Sequence, residues 1–285
     1  MSILTAVFQA IGQAITFILP VSESGHSALF HDFASRYSGV SSELTGLIHI
    51  GMAIGILIAF HKVFLRLFIE FVNTFRDVFT KKFKLKTATN SRKFMYYTLF
   101  AYVPMLLYFI PAGKKGSLFQ LADSFSYDTN LLSEGIGFLI CAVLLLLAHF
   151  TLQKSQKGNQ LSLPVAVLLA LLVFITIPVS GLSLSAVLIS AAVISGVNKN
   201  ISLRYFISIS VPVLLVKGII EIVNCVTYVN IITGIIGVVI AAAAAFFVSK
   251  LLKIIIGNMY LKYFSYYNFT VGTIAAVTGI FQIIL

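Results

Sequence analysis

The segment FILPVSESGH, residues 17–26, ends an apolar run with two hydroxyls, a carboxylate and an imidazole in close succession. Glu23 and His26 are the residue types that act as general acid, general base or metal ligand. Ser22 or Ser24 could act as a nucleophile with this histidine as its base. If the run lies in a membrane, ionisable groups there indicate a functional site. The alternative is a tip in the headgroup layer, where charge costs little.

A second polar segment, SGLSLS at residues 180–185, also follows a Pro-Val pair. Ser183 and Ser185 would lie at a helix start, where free N–H groups and hydroxyls bind anions. Ordinary N-capping explains them equally well. On the first apolar run, Gln9 and Gln13 share one helix face. They either line a polar cavity or bond to a neighbouring helix.

Single ionisable residues also interrupt other apolar runs. His49 follows Thr45 by one turn, and a lone histidine in such a run is more often a hydrogen-bonded core residue than a ligand. Arg204 and Lys217 are the cations nearest to the second polar segment along the chain. Lys217 and Glu221 are spaced one helical turn apart, so they could simply neutralise each other.

The composition indicates an integral membrane protein. Of the 285 residues, 59% are hydrophobic and only 10% are charged, whereas soluble domains carry about 25% charged residues. The chain has no Trp, but its 25 Phe and 12 Tyr can supply an interfacial aromatic belt. Its two cysteines have no CxxC spacing, which argues against a metal or disulfide framework.

Six apolar runs approach the ~20 residues that a spanning helix needs. They cover residues 44–61, 94–111, 133–152, 205–223, 229–249 and 265–285. Two further apolar stretches, 3–40 and 163–198, break in the middle at Pro-Val-Ser. Because proline ends a helix, each stretch predicts two half-helices joined by a polar tip, which is a re-entrant hairpin.

The two broken stretches indicate a duplicated unit within one membrane domain. Pro20-Val21-Ser22 recurs as Pro178-Val179-Ser180, and Ser38-Gly39-Val40 recurs as Ser195-Gly196-Val197. In both halves the second triplet precedes a spanning run. The predicted repeats cover residues 1–152 and 163–285.

The distribution of basic residues predicts the topology. Nine of the 20 Lys and Arg residues lie between Lys62 and Lys93, which favours a cytoplasmic loop over a nucleic-acid-binding arm. With this loop inside, the two hairpins enter from opposite faces and their tips can meet near the midplane. We therefore expect an all-α polytopic membrane protein with six spanning helices and two re-entrant helical hairpins in an inverted repeat.

These segments resemble the bacterial undecaprenyl-diphosphate phosphatases, the bacitracin-resistance family, over essentially the whole chain. The family's first motif reads roughly E/Q-xxx-E-F-L-P-V-S-S-T-G-H and its second P-G-x-S-R-S. The resemblance implies removal of one phosphate from a long polyprenyl diphosphate, the lipid carrier of cell-wall synthesis. It also implies a divalent cation, Mg²⁺ or Ca²⁺, and a multi-pass location in the bacterial cell membrane.

Most motif positions match. The matching residues are Gln13, Pro20, Val21, Ser22, Gly25, His26, Gly181, Ser183 and Ser185, while Ser24 replaces a Thr. The resemblance implies a catalytic set of His26, Glu23 and Ser22, with Glu23 on the metal. It implies substrate binding by Gln13, Ser24, Gly25, Ser183, Ser185 and Arg204.

Three departures bear on activity. Phe17 stands at a family Glu position, Glu23 at a Ser and Leu184 at the Arg. Diphosphate hydrolysis needs positive charge on the phosphates and usually a metal. Two functions therefore stay open: a divergent phosphatase in which Glu23 and Arg204 restore the lost charges, and a non-hydrolytic carrier-lipid binder, flippase or transporter on the same scaffold.

The expected partners follow from both functions. They are polyprenyl diphosphate or phosphate and the surrounding membrane lipids, with no nucleic acid, because the basic residues follow one side of the membrane. The sequence is also compatible with a homodimer.

Overall fold

The computed structural model describes residues 3–33, 42–83, 88–110, 130–154, 157–225 and 228–284. These residues form eleven α-helices and one 3-10 turn, with a single isolated bridge between Asn159 and Val197. The helices are α1 (Ile3–Ile18), α2 (Glu23–Phe33), α3 (Ser42–Ala59), α4 (His61–Phe79), α5 (Asn90–Met105), α6 (Leu132–Lys154), α7 (Leu163–Thr176), α8 (Leu184–Ile194), α9 (Lys199–Val223), α10 (Ile231–Gly257) and α11 (Leu261–Ile284). The predicted all-α polytopic membrane architecture is confirmed.

Five helices in the described part of the chain are long and apolar enough to cross a membrane, namely α3, α6, α9, α10 and α11. The prediction of a sixth span at residues 94–111 was wrong by this measure. Here α5 stops at Met105 and continues only as a 3-10 turn over Leu106–Phe109. Pro104 in the last turn of α5 cannot donate a backbone hydrogen bond, which helps to end the regular helix.

The prediction of a loop over residues 62–93 was also wrong. Most of this segment is α4, and its end belongs to α5. No residue of α4 is buried. Arg92 of α5 donates to Glu70 Oε2 at 3.2 Å and to Asp77 Oδ2 at 2.7 Å, so these charges tie α4 to α5. Of the nine basic residues, Lys62, Arg66 and Arg76 therefore lie on this exposed helix.

Both broken stretches end a helix at the predicted Pro-Val-Ser segment and begin another after it. Ser22 has φ of 61°, and its hydroxyl accepts from Gly25 N at 3.2 Å, which caps the start of α2. The second turn contains Gly181 with φ of 80°. Ser183 Oγ accepts from Ala186 N at 3.3 Å and caps α8. The capping interpretation of Ser183 is therefore confirmed.

In the second broken pair, the residues just before α7 lie beside the residues just after α8. Asn159 N, just before α7, donates to Gly196 O at 2.7 Å, and Asn198 N donates back to Asn159 O at 2.9 Å. The pair therefore turns back on itself, as a hairpin must. The matching triplet of the first pair, Ser38-Gly39-Val40, lies outside the described residues.

Small residues allow α3 to contact two helices at backbone distance. A Cβ atom on Gly46 would lie 2.6 Å from Gly218 O of α9, and one on Gly51 would lie 2.5 Å from Val238 O of α10. Close approach at small residues is a common way to pack helices in membranes. The α3–α9 contact places the side chains that follow Gly46 directly beside those of α9.

We predict that Gly46→Ala lowers the stability of the folded protein. The new methyl group would overlap Gly218 O, and overpacking of this kind costs about 1–3 kcal/mol. Gly12→Ala is the matched control, because a Cβ there meets nothing within 4 Å and alanine favours the helix by about 1 kcal/mol. The unfolding midpoint in detergent should fall for Gly46→Ala alone; an unchanged midpoint would contradict the predicted contact.

Candidate functional site

The two helix breaks are hydrogen-bonded to each other. Ser22 Oγ in the first break donates to Leu182 O in the second at 3.2 Å. In the opposite direction, Ser185 Oγ at the start of α8 donates to Leu19 O at 2.9 Å. The structure thus brings together the two polar segments that the sequence analysis singled out. Buried hydroxyls on both sides hold them in one arrangement.

Backbone contact between the breaks leaves space only for glycine. Gly181 N donates to Ser24 Oγ at 3.3 Å. A Cβ on Gly25 would lie 3.2 Å from Gly181 Cα and 2.5 Å from the ring of Phe138. Gly25 is therefore a close-packing position, and its match to the family motif has a steric reason.

Two helices start at this junction. α2 begins at Glu23 and α8 begins at Leu184. The first N–H groups of a helix carry partial positive charge, so a pair of helix starts favours an anion between or beside them. Ser24 is exposed at the first of these helix starts. The junction can therefore bind a negatively charged group.

Both ring nitrogens of His26 have partners. Nδ1 lies 2.7 Å from Ser22 O, and Nε2 lies 2.6 Å from the hydroxyl of Tyr267, whose ring is stacked on the imidazole. A carbonyl only accepts, so Nδ1 carries the hydrogen, and in the neutral ring Nε2 accepts from the tyrosine. The Ser22 hydroxyl instead serves Leu182 O and Gly25 N. The ring therefore contacts the Ser22 carbonyl, and the predicted serine–histidine pair stays a prediction.

Glu23 belongs to a network of four charged side chains from three helices. Its Oε1 lies 2.6 Å from His49 Nε2, and its Oε2 accepts from Lys217 Nζ at 3.1 Å. The other ring nitrogen of His49, Nδ1, lies 2.6 Å from Glu221 Oε2. If both carboxyl groups are ionised, both ring nitrogens must donate, because a carboxylate only accepts. Histidine is then an imidazolium and the network is electrically neutral.

The network bears on two expectations. His49 is a buried, hydrogen-bonded residue, as expected, but its ring nitrogens face carboxylates, and Thr45, a possible partner one turn earlier, accepts from Gln9 Nε2 at 3.0 Å. Lys217 and Glu221 were expected to neutralise each other, but each has a partner outside α9. The signal in the sequence was that Glu23, His49, Lys217 and Glu221 are ionisable residues in or beside apolar runs, and buried charges in membrane helices pair with one another.

The network does not offer Glu23 to a divalent cation. Each of its oxygens already faces a nitrogen donor, and the ammonium of Lys217 at 3.1 Å would repel a further cation. Within the described ranges no three His, Cys, Asp or Glu side chains are grouped to hold a metal. These residues do not fit the Mg²⁺ or Ca²⁺ that the resemblance implies, and that cofactor stays a prediction.

The remaining predicted residues lie apart from the network. Arg204 is exposed and precedes Lys217 by thirteen residues of α9, which places it about 20 Å away along the helix. Gln13 Oε1 is buried and has no hydrogen-bond partner among the described residues. Phe17 and Leu184 are buried, at 6% and 8% exposure.

Another buried carboxylate was missed. Glu134, at the start of α6, is 2% exposed and accepts from Ser133 Oγ at 3.0 Å. Its backbone packs against Gly181, where a Cβ would lie 2.7 Å from Glu134 Cα. The signal available in the sequence was that Glu134 is the one acidic residue in the first turn of the apolar helix α6.

Comparison with known proteins points to one family. The family model described as bacitracin resistance protein BacA matches residues 6–274. A relative from Oceanobacillus iheyensis is 27% identical over 93% of this chain and 92% of its own length. A relative from Halothermothrix orenii is 27% identical over 99% of this chain and 100% of its own length. A relative from Methanobrevibacter smithii is 24% identical over 98% of this chain and 99% of its own length. All three are named undecaprenyl-diphosphatase.

We predict that Glu23 and Lys217 are energetically coupled. Glu23→Gln and Lys217→Met should each destabilise the protein, because each leaves the other charge, at 26% or 9% exposure, without this ion pair. The double variant should lose less than the sum of the two, with a coupling of about 0.5–3 kcal/mol. Unfolding in mixed detergent micelles, followed by circular dichroism, measures all three variants.

The Arg76–Asp77 pair is the control for this cycle. Its nitrogen and oxygen are 3.9 Å apart and the Arg76 side chain is 70% exposed. Exposed pairs of this kind are worth little, so Arg76→Met and Asp77→Asn should show no measurable coupling. Equal coupling in the two pairs would show that the Glu23–Lys217 contact has no special energetic role.

Proposed function

This chain is a member of the bacitracin resistance protein BacA family, and from that membership we propose that it binds the phosphate head of a polyprenyl carrier lipid of the undecaprenyl type and moves it across the cell membrane without hydrolysing it. One observation carries the proposal. Glu23, the carboxylate at the start of α2, is closed in contacts with His49 and Lys217.

The lipid class is supported by the relatives and by the junction itself. The matched relatives are named for undecaprenyl diphosphate. The starts of α2 and α8 converge at the junction and favour an anionic headgroup. Ser24, exposed at the start of α2, gives that headgroup a polar contact. A membrane-spanning protein presents such a site directly to lipids.

Hydrolysis lacks the charges that it needs at the family positions. Phe17 and Leu184 occupy two of them, and both side chains are buried and apolar. Lys217 carries the positive charge that the motif arginine would supply, but its ammonium donates to Glu23. Loss of electrostatic stabilisation of the developing negative charge typically costs several kcal/mol of barrier, or ~10²–10³ in rate for one donor.

Transport, rather than binding alone, is supported by the internal symmetry. If residues 1–152 and 163–285 are two repeats, α1 to α3 correspond to α7 to α9, while α5 and α6 correspond to α10 and α11. The pairs α3–α9 and α6–α11 then join equivalent helices, and the α1–α10 contact has its equivalent in α7–α5. If each repeat crosses the membrane three times, as the sequence predicts, the two copies have opposite orientations. This is the arrangement of many secondary transporters.

Hydrolysis is the second candidate, and one observation favours it. His26 is retained at its family position, is partly exposed and lies one turn from the start of α2, where the phosphate would bind. Its Nε2 contacts only a tyrosine hydroxyl that a substrate could displace. A metal would then have to bind through residues other than the closed network.

We predict that the purified protein releases no more phosphate from undecaprenyl diphosphate than its His26→Ala variant, with either Mg²⁺ or Ca²⁺. The physical reason is the missing positive charge at the phosphate. The measurement is inorganic phosphate released in detergent. The relative from Oceanobacillus iheyensis is the positive control, and Glu23→Gln is assayed in parallel.

Metal-dependent release that is lost in both His26→Ala and Glu23→Gln would overturn the non-hydrolytic proposal. It would mean that the site has been rebuilt around Glu23 and that the protein is a phosphatase. All variants must first elute as monodisperse, folded protein, so that inactivity reflects the site.

We also predict that Ser24→Asp weakens binding of undecaprenyl phosphate at least tenfold. The aspartate retains an acceptor for Gly181 N but adds negative charge at the helix starts, where it repels a phosphate. Thr151→Asp, on a partly exposed position of α6 about 20 Å along that helix from Phe138, should bind like the wild type. Native mass spectrometry measures both, and equal affinities would rule out this binding position.

A further inference from the structure

The helix α4 connects the end of α3 to the start of α5. It begins two residues after the last residue of α3. In its second half, Glu70 and Asp77 accept hydrogen bonds from Arg92, which lies in the first turn of α5. Thr74 Oγ1 lies 3.3 Å from the hydroxyl of Tyr96, one turn further along α5. The second half of α4 therefore packs against the first two turns of α5.

Contacts among the other helices show that these two points share one end of the helix bundle. Lys250 of α10 donates to the last carbonyl of α3 at 2.7 Å. Lys199, the first residue of α9, donates to the last carbonyl of α10, also at 2.7 Å. The ring of Phe94 in α5 lies 6.3 Å from that of Tyr205, two turns into α9. Because α3, α9 and α10 are candidate spans, α4 lies across the bundle at one surface of the membrane.

The outer face of α4 is apolar and exposed. Apolar side chains recur along it every three or four residues, on the side opposite Glu70 and Asp77. A contiguous apolar face of this size is unfavourable in water and marks an interaction surface. Its members are between 47% and 72% exposed, and they are Leu65, Phe68, Val72, Phe75 and Phe79.

Exposed cations line one edge of that face. At 100° per residue, Lys62, Arg66 and Arg76 lie between the apolar face and the side that contacts α5. The Arg76 side chain is 70% exposed even though its Nε lies 3.9 Å from a carboxylate oxygen. Lys81 and Lys82 follow directly after the helix and are also exposed. An apolar face with a basic polar edge is typical of helices that lie in the membrane interface.

We propose that α4 is an interfacial helix that binds the anionic phospholipids of the leaflet at this end of the bundle. Its phenylalanine face lies among the upper acyl-chain carbons, and its basic edge contacts the headgroup phosphates. The occupant is the bulk phospholipid of the membrane, so the inference does not depend on the proposed transport of a carrier lipid.

A second copy of this chain fits the same face less well. Two copies in one membrane are related by a rotation axis along the membrane normal, so their basic edges would lie on the same side. The cations of one copy would then approach those of the other, and like charges repel. Anionic headgroups neutralise the same cations. Charge complementarity therefore favours lipid as the occupant.

The chain contains no Trp, so a single introduced tryptophan reports the depth of α4. The test uses full-length Phe75→Trp in nanodiscs of phosphatidylcholine and phosphatidylglycerol. Lipids brominated near the headgroup end or near the tail end of the acyl chain quench tryptophan at those depths. We expect the stronger quenching from bromine near the headgroup. The matched control is Val143→Trp, at the middle of α6 and 56% exposed, which should be quenched more strongly near the tail end.

Two results would overturn the proposed position of α4. Quenching of Phe75→Trp by aqueous iodide, but not by either brominated lipid, would place α4 in water. Protection from both iodide and brominated lipid, together with a dimer mass by native mass spectrometry, would make a second copy the occupant.

The role of the basic edge is tested with the same fluorophore. Competition between brominated phosphatidylglycerol and brominated phosphatidylcholine gives their relative affinity for the surface around Phe75→Trp. One basic residue near an anionic membrane contributes about fivefold, so phosphatidylglycerol should be preferred about fivefold or more. Combined Lys62→Gln, Arg66→Gln and Arg76→Gln substitutions should reduce this preference towards one.

A matched triple variant controls for the loss of charge. Lys154→Gln, Lys157→Gln and Lys253→Gln remove the same charge from exposed positions outside α4 and should leave the preference unchanged. Each variant must elute as monodisperse, folded protein, and Lys62→Gln alone replaces the first triple variant if that one does not fold. Absence of a preference for phosphatidylglycerol, or an equal preference after α4 is neutralised, would overturn the proposed headgroup contact.

Discussion

Two carboxylates share one buried histidine, and the other features of the site depend on that arrangement. Glu23 and Glu221 lie on opposite sides of the His49 ring, and Lys217 completes the charge balance. If both carboxyl groups are ionised, the imidazole donates from both nitrogens, and this arrangement exists only while the ring is protonated. The network therefore ties the first broken helix pair to α9. It also commits the one carboxylate of the FILPVSESGH segment to a purpose other than metal binding.

The helix packing makes this network possible. Four long side chains can meet across three helices only where the backbones are close, and Gly46 and Gly218 remove the side chains that would separate α3 from α9. The two breaks are fixed in a similar way, by Ser22 and Ser185 hydroxyls that bond across to backbone carbonyls. Matched motif residues such as Gly25 thus have structural reasons to persist even where the charged family positions have changed.

A scaffold and the chemistry that it supports depend on different residues. The fold depends on apolar helix faces, glycine crossings and capped breaks, all of which this chain retains. Diphosphate hydrolysis depends on a few charges placed at the phosphate, and Phe17 and Leu184 are buried apolar side chains. The retained junction of helix starts still favours an anion, so recognition of a lipid phosphate and its hydrolysis become separable properties.

The sequence by itself determined the membrane class, the helical content and the two breaks at Pro-Val-Ser, because composition and proline act locally. It misassigned residues 62–93, where charged and apolar residues mix on the exposed helix α4. It also identified Glu23 and His26 as a site but gave Glu23 no partners. Those partners, His49 and Lys217, are distant in sequence and come from different helices. Only the tertiary structure could join them, because the pairing of buried charges depends on which helices cross and not on sequence spacing.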